Sequence, residues 1–291
     1  YEQVTKSEGI YGEKPLRWTY ETFLGRLALE GVIKRPWFSA AYGRWADCSC
    51  SRKEVEAFIE RFEIDTDEFL HSVDSFANFN DFFSRELKDT ARPLAEGENT
   101  VSFPADGRHL FVPNLSEAGS IYAKGQHFDL VSLLGDGVLA NQFEGGSALV
   151  SRLCPTDYHR FHFPLAGTSS EPALINGPLY SVNPIALSRS LGFIWKNKRR
   201  VTVLDQSLVG RYLFLEIGAT NVGSIVDTAP ENLPVDRGDE KGYFRFGGSM
   251  VIVLFPESSF EPSPDLAEHS RQGVELYAKA KDKAGMVLTK K

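Results

Sequence analysis

The chain has 291 residues, of which 42% are apolar and 24% charged, enough for one large or two modest folded units with a sizeable core and too apolar for global disorder. A formal charge of −7 argues against a duplex-DNA binder, because phosphate contacts need a basic face; a local basic patch can still meet anionic lipid. Cys48 and Cys50 form a lone C-x-C and Cys154 stands in an apolar stretch, the pattern of reduced thiols, with no further metal ligands beside Cys48. Tyr1–Lys14 is polar, without the short apolar core of a secretory signal. The longest unbroken apolar run, Met250–Phe255, is far short of the roughly 20 residues that cross a bilayer, so the expectation is a soluble or peripheral protein.

Along the chain, Pro15–Trp45 places Leu16, Tyr20, Phe23, Leu24, Leu27 and Ala28 at helical spacing among Arg17, Arg26, Lys34 and Arg35. Ser51-Arg52-Lys53-Glu54 has the form of a capping box and precedes a helical stripe of Val55, Phe58, Ile59 and Phe62. A third helix is expected over Asn78–Leu87, with Asn80 as its N-cap. From Pro104 the texture changes to short strands broken by glycine, proline and asparagine: His109–Val112, Ala148–Cys154, Val201–Leu204, Arg211–Ile217 and Val222–Val226. The strongest strand signal is Lys241–Phe255, where Gly247-Gly248 suggests a sharp turn, a hairpin tip, between two strands. A polar helix follows Pro264, anchored by Leu266, Val274 and Tyr277. The reading is an α+β protein: a helical N-terminal region over 1–100, then a mostly antiparallel, β-rich catalytic body over 101–291.

Three stretches carry reactive groups. Pro104-Ala105-Asp106-Gly107 sets a carboxylate on a turn before a strand, although Asp-Gly is also an ordinary turn. Asp157-Tyr158-His159-Arg160-Phe161-His162 holds two of the six histidines three residues apart, as a structural pair, a catalytic pair or metal ligands. Gly247-Gly248-Ser249 brings a serine out of a glycine turn, either as a plain turn or as a nucleophile. Carboxylate, imidazole and hydroxyl could form an Asp–His–Ser arrangement, which is recognised by geometry and not by chain order. The G-x-S-x-G elbow of serine hydrolases is not matched, whereas a strained Gly-Gly-Ser turn suits attack by a hydroxyl on the preceding backbone carbonyl.

These residues sit in a series of motifs that together resemble the phosphatidylserine decarboxylase family: FNDFFSRELK with Arg92-Pro93, PADG at 104–107 and LCPTDYHRFHFP at 153–164, then GPLYSVNP at 177–184, EIGATNVGSI at 216–225 and RGDEKGYFRFGGSM at 237–250. YGEKPLRWTYETFLGRL near the start is similar to the bacterial branch without a transmembrane anchor. The resemblance implies a proenzyme in which His162, oriented by Asp106, deprotonates Ser249, whose oxygen attacks the carbonyl of Gly248. It further implies a β chain of 1–248 and an α chain of 249–291, whose first residue, the former Ser249, becomes a covalent pyruvoyl cofactor. Backbone N–H groups around Gly247 and Gly248 are the expected oxyanion donors, with Asp157 in support. A substrate amine would form a Schiff base with the pyruvoyl carbonyl, and His159, or else His162, would reprotonate the carbon after loss of CO2. The implied substrate is phosphatidylserine in an anionic membrane and the product phosphatidylethanolamine. The implied place is cytoplasmic, peripheral on the inner face of the cell membrane; a homodimer is allowed, and neither metal nor nucleic acid is called for. Trp18, Trp37 and Trp45 with the basic residues of Pro15–Trp45 fit a helix at a lipid interface, or equally a helix packed on its own domain or a partner.

Two departures stand out. Met250 occupies the position after the reactive serine where the family usually has Thr or Ser, and Asn197-Lys198-Arg199-Arg200 carries cations where relatives usually have an acid near the asparagine–arginine motif. The alternatives are a pyruvoyl decarboxylase of a soluble, for example aromatic, amino acid, and an unprocessed, non-catalytic lipid-binding relative.

Overall fold

The computed structural model describes residues 12–116, 128–220, 224–247 and 249–288. The first hundred residues carry the helices α1 (Glu13–Glu21), α2 (Phe23–Ala28), α3 (Pro36–Asp47), α4 (Lys53–Phe62) and α5 (Phe79–Phe83), and the first strand begins only at Thr100. Every strand pairing among the described residues is antiparallel. The largest sheet has nine strands, with Ser249–Phe255 at its middle between Ser147–Leu153 and Gly210–Ile217. A three-stranded sheet joins Arg160–His162, Glu240–Phe244 and Ile225–Asp227.

All seven residues of Ser249–Phe255 are buried, because this strand is covered on both faces. Val251, Val253 and Phe255 face an aromatic core with Phe161, Phe163, Phe214 and Phe244. Met250, Ile252 and Leu254 point the other way, into a layer with Ile217, Leu187 and Ile194. Fully burying each aliphatic side chain contributes about 1.5–3 kcal/mol, so this strand is the most heavily stabilised element around the site.

Several local expectations change. Lys241–Phe255 is not a hairpin: Glu240–Phe244 pairs with Arg160–His162 and Ile225–Asp227, whereas Ser249–Phe255 pairs in the large sheet. The glycine link therefore carries the chain from one sheet to another, and Gly247 has φ +136°, a conformation costly for any residue with a Cβ. Val222 lies outside the described residues, and the strand there covers Ile225–Asp227. The long N-terminal helix is broken where Thr22 turns extended and caps α2 through Gly25 N, and again where Arg35 is extended before Pro36. Leu16 and Tyr20 of its stripe pack inward, but Phe23, Leu24 and Leu27 stay 69%, 66% and 56% exposed. The capping box does not form, because the Ser51 hydroxyl donates to Ala46 O and Cys48 O and accepts from Phe79 N. Asn78, not Asn80, caps α5. Val274 and Tyr277 lie beyond the last helix, Pro264–Arg271, and are 44% and 47% exposed; only Leu266 anchors it as expected.

Candidate active site

Ser249 opens the central strand opposite Leu153. It is fully buried, and its Oγ has no hydrogen-bond partner among the described residues. A buried hydroxyl left unpaired costs about 1–3 kcal/mol, and such exceptions mark strain or chemistry. Gly248, the carbonyl expected to be attacked, lies outside the described residues.

Both histidines of the Asp157–His162 segment are buried, and each has an unpartnered Nε2. His159 Nδ1 lies 2.9 Å from Asp157 O, and His162 Nδ1 lies 3.1 Å from Gly238 O. A carbonyl can only accept, so each Nδ1 carries a proton and each neutral ring presents a bare Nε2 lone pair, the form of a base. Burial pushes both imidazoles down to about 3, so they are neutral at physiological pH. His159 is fixed from the other side by the Phe83 ring, 3.9 Å centroid to centroid, and the Gly247 backbone acts on it in the direction of protonation. His159 O also accepts from Phe244 N at 2.9 Å. These contacts tie His159 to the glycine link. His162 is tied instead to the PADG segment, through its N–H to Pro104 O at 2.7 Å.

Asp106 does not orient His162. Its two oxygens accept from Arg92 Nε at 2.8 Å and Nη2 at 2.5 Å, and one also takes Ala280 N–H at 2.8 Å. A bidentate guanidinium outcompetes a neutral imidazole for a buried carboxylate. The orienting acceptor for His162 is the Gly238 carbonyl, and Asp106 reaches it only through Arg92 and the Tyr158 ring, which stack in turn. Gly107 admits this geometry: a Cβ there would meet Arg152 O at 2.4 Å. Asp157 accepts from Cys154 N at 2.7 Å and Arg108 at 3.4 Å, and burial raises its carboxyl to about 6. Arg108 and Arg152 both donate to Cys154 Sγ, at 3.0 and 3.3 Å. Among the described residues, no group of three histidine, cysteine, aspartate or glutamate side chains could hold a metal ion.

Both departures lie in packed or paired surroundings. Met250 points away from Ser249, fully buried in the opposite layer. Met250→Thr is expected to lower stability by about 2–4 kcal/mol, through lost volume and a buried hydroxyl, without speeding any reaction of Ser249; denaturant unfolding checks it. Arg200 pairs with Asp227, Arg199 donates to Leu133 O, Ser132 O and Asn197 O, and Asn197 joins Tyr180 to Gly218. Lys198 of that run lines a cavity of about 310 Å³ with Arg245 and Phe246. Sequence reasoning passed over Arg92, Phe83 and Arg85 and read Asn80 only as a helix cap, although all four lie in or beside the FNDFFSRELK and Arg92-Pro93 motifs. Arg85 is buried over the Phe69 and Phe82 rings, each 5.1 Å away, and its charge helps keep His159 neutral.

A cavity of about 830 Å³ is lined by Leu16 and Tyr20 of α1 together with Cys154, Thr220 and Gly247, the last of these two residues before Ser249. An antiparallel body that buries an unpaired serine hydroxyl and two neutral imidazoles with unpartnered Nε2 atoms fits an enzyme of the decarboxylase class once the comparisons are added. The sequence profile described as Phosphatidylserine decarboxylase matches residues 79–278. The chain belongs to that family. It is 41% identical over 278 residues to a Phosphatidylserine decarboxylase proenzyme of Clostridium perfringens, covering 94% of this chain and 95% of the relative. Proteins of the same name from Chlamydia pneumoniae and Clostridium tetani are 41% and 40% identical, over 94% and 98% of this chain and 92% and 97% of theirs.

Proposed function

We propose that the chain is a proenzyme that cuts itself between Gly248 and Ser249 and then converts phosphatidylserine to phosphatidylethanolamine and CO2. The observation that carries this reading is the buried Oγ of Ser249, unpaired among the described residues, together with the two buried imidazoles whose Nε2 atoms are also left without partners. His162 Nε2 accepts the serine proton, its ring held by the Gly238 carbonyl. The serine oxygen bonds to the Gly248 carbonyl carbon, and the Gly248–Ser249 C–N bond breaks to leave an ester and a free amine. Elimination across Cα–Cβ of residue 249 then releases the Gly248 carboxylate, and hydrolysis of the resulting enamine loses ammonia. Chains 1–248 and 249–291 result. A second assignment, with His159 as the proton acceptor, draws support from the Gly247 backbone, which acts on its ring in the direction of protonation. The orphaned hydroxyl and Nε2 atoms suit a pyruvoyl group at residue 249, which when formed supplies an electron sink beside the bond to the substrate carboxylate. His159 is our candidate for returning a proton to the carbon that loses CO2, once its bare Nε2 has taken one up.

Among the described residues no helix is long and apolar enough to cross a membrane. Phe23, Leu24, Leu27 and Trp37, all more than half exposed, share α1–α3 with Arg17, Arg26 and Arg35. This surface suits peripheral docking on an anionic bilayer at the inner face of the cell membrane, and the cavity wall formed by α1 gives a head group a way towards Gly247. The test measures CO2 release and vesicle sedimentation together, with phosphatidylserine vesicles in one arm and free serine or aromatic amino acids in the other. Release and sedimentation in the vesicle arm alone are expected; release from free amino acids alone overturns the lipid assignment.

A further inference from the structure

The helical region grips the chain immediately before the reacting serine, and one side chain joins the two. Asn80 of α5 is only 3% exposed. Its Oδ1 accepts from Phe246 N at 2.8 Å, and its Nδ2 donates to Asp47 Oδ1 at 2.9 Å and Gly43 O at 3.5 Å on α3. Asp47 in turn pairs with Arg245. Phe246 is enclosed by Phe79 and Phe83 of α5, each 4.9 Å away edge-on, and stacks on Tyr42 of α3 at 5.3 Å. Phe83 also lies against His159. The same five-residue helix thus sets the imidazole ring and the backbone entering Gly247.

We infer that Asn80 is a positioning residue for self-cleavage, fixing the chain at Phe246 so that the Gly248 carbonyl is presented to Ser249. The inference rests on the self-processing reading. Residue 246 is two residues of chain from the attacked carbonyl, and Gly247 has the freedom to let the link swing. A hydrogen bond from a rigid element removes that freedom before reaction, and small misplacements of reacting atoms cost large factors in rate. An ordinary helix cap would do none of this, and Asn78 already serves as the cap.

The experiment follows the disappearance of full-length chain after pulsed cell-free synthesis, by denaturing gel, alongside thermal unfolding of each variant. Asn80→Ala is expected to slow cleavage about tenfold, the scale of one hydrogen bond lost in the transition state, at temperatures where it remains folded. Asn80→Asp alone sets a second carboxylate against Asp47 and is expected to be slow. The exchanged variant Asp47→Asn/Asn80→Asp keeps an acceptor for Phe246 N and reverses the second bond, and is expected to recover a rate within about threefold of wild type. A folded Asn80→Ala that cleaves at the wild-type rate overturns the inference, and so does an exchanged variant no faster than Asn80→Asp. The second comparison decides alone if Asn80→Ala does not fold. A wild-type chain that stays whole brings down the self-processing reading and this inference together, whereas a cleaving wild type with unaffected variants removes the inference only.

Discussion

Ser249→Ala is expected to leave a single full-length chain after prolonged incubation and to abolish CO2 release, because the same oxygen is the attacking atom and the precursor of the ketone. Losing a serine nucleophile in a comparable hydrolytic site costs on the order of 10⁶ in rate, which puts residual cleavage beyond detection. In wild type, the intact-mass spectrum is expected to show a fragment beginning at residue 249, lighter than the unmodified sequence by the conversion of its terminal amine to a ketone. The histidines should separate. With His162 as the proton acceptor, His162→Ala slows cleavage by about 10²–10⁴, while His159→Ala is cut normally and loses CO2 release by a similar factor. With His159 as acceptor, its variant fails to cleave. The bare Nε2 on each ring makes both chemically competent, so only this pair of substitutions distinguishes them. Cleavage of Ser249→Ala, or normal cleavage of both histidine variants, would sink the proposed mechanism.

How far the sequence could be read depended on whether the deciding contact was local. The run Val251–Phe255 announces a strand covered on both faces because nothing polar interrupts it, and it is the centre of the large sheet. Ser249, His159 and His162 were legible as candidates because their motifs combine rare residue types. The hairpin reading failed because a glycine pair reports a change of direction and says nothing about which strands pair afterwards. Ser51 satisfies the local rule for a cap, yet a partner 28 residues away, Phe79 N, uses its hydroxyl. Phe23, Leu24 and Leu27 have helical spacing, but periodicity cannot tell a face turned to a core from one left bare. Asp106 was paired with His162 because the competing Arg92, 14 residues earlier in the chain, is invisible until the fold brings it alongside. The Asn80–Phe246 bond spans 166 residues and had no signal in local pattern at all.

Acidification from pH 7.5 to 5.5 is expected to destabilise the uncleaved fold, by at most about 3 kcal/mol, a large part of an ordinary domain's stability. Burial lowers His109, His159 and His162 to about 3 each, so all three stay neutral in the fold while the unfolded chain protonates its imidazoles near 6.5. Stability from these groups is therefore full above 6.5 and is lost as pH falls below it, by about 1.4 kcal/mol per group over this range. Asp157 works in the opposite sense. Its carboxyl, raised to about 6 by burial, takes up a proton in the fold before the unfolded chain does, returning about 0.8 kcal/mol. Glu216 and Asp282, also raised by burial, act in the same sense as Asp157, so the loss from the histidines is an upper bound. Denaturant unfolding of Ser249→Ala across the pH series isolates the effect from processing, and a stability that is flat or rises on acidification would contradict it. The same titration separates fold from catalysis. A base that protonates in place only near 3 leaves the cleavage rate of the folded precursor within about twofold from pH 8 to 6, so any steep acid limb must follow the unfolding curve. A rate that titrates near 6.5 while the fold persists would mean that the reacting imidazole is hydrated and not sealed among Phe83, Tyr158 and the two strands.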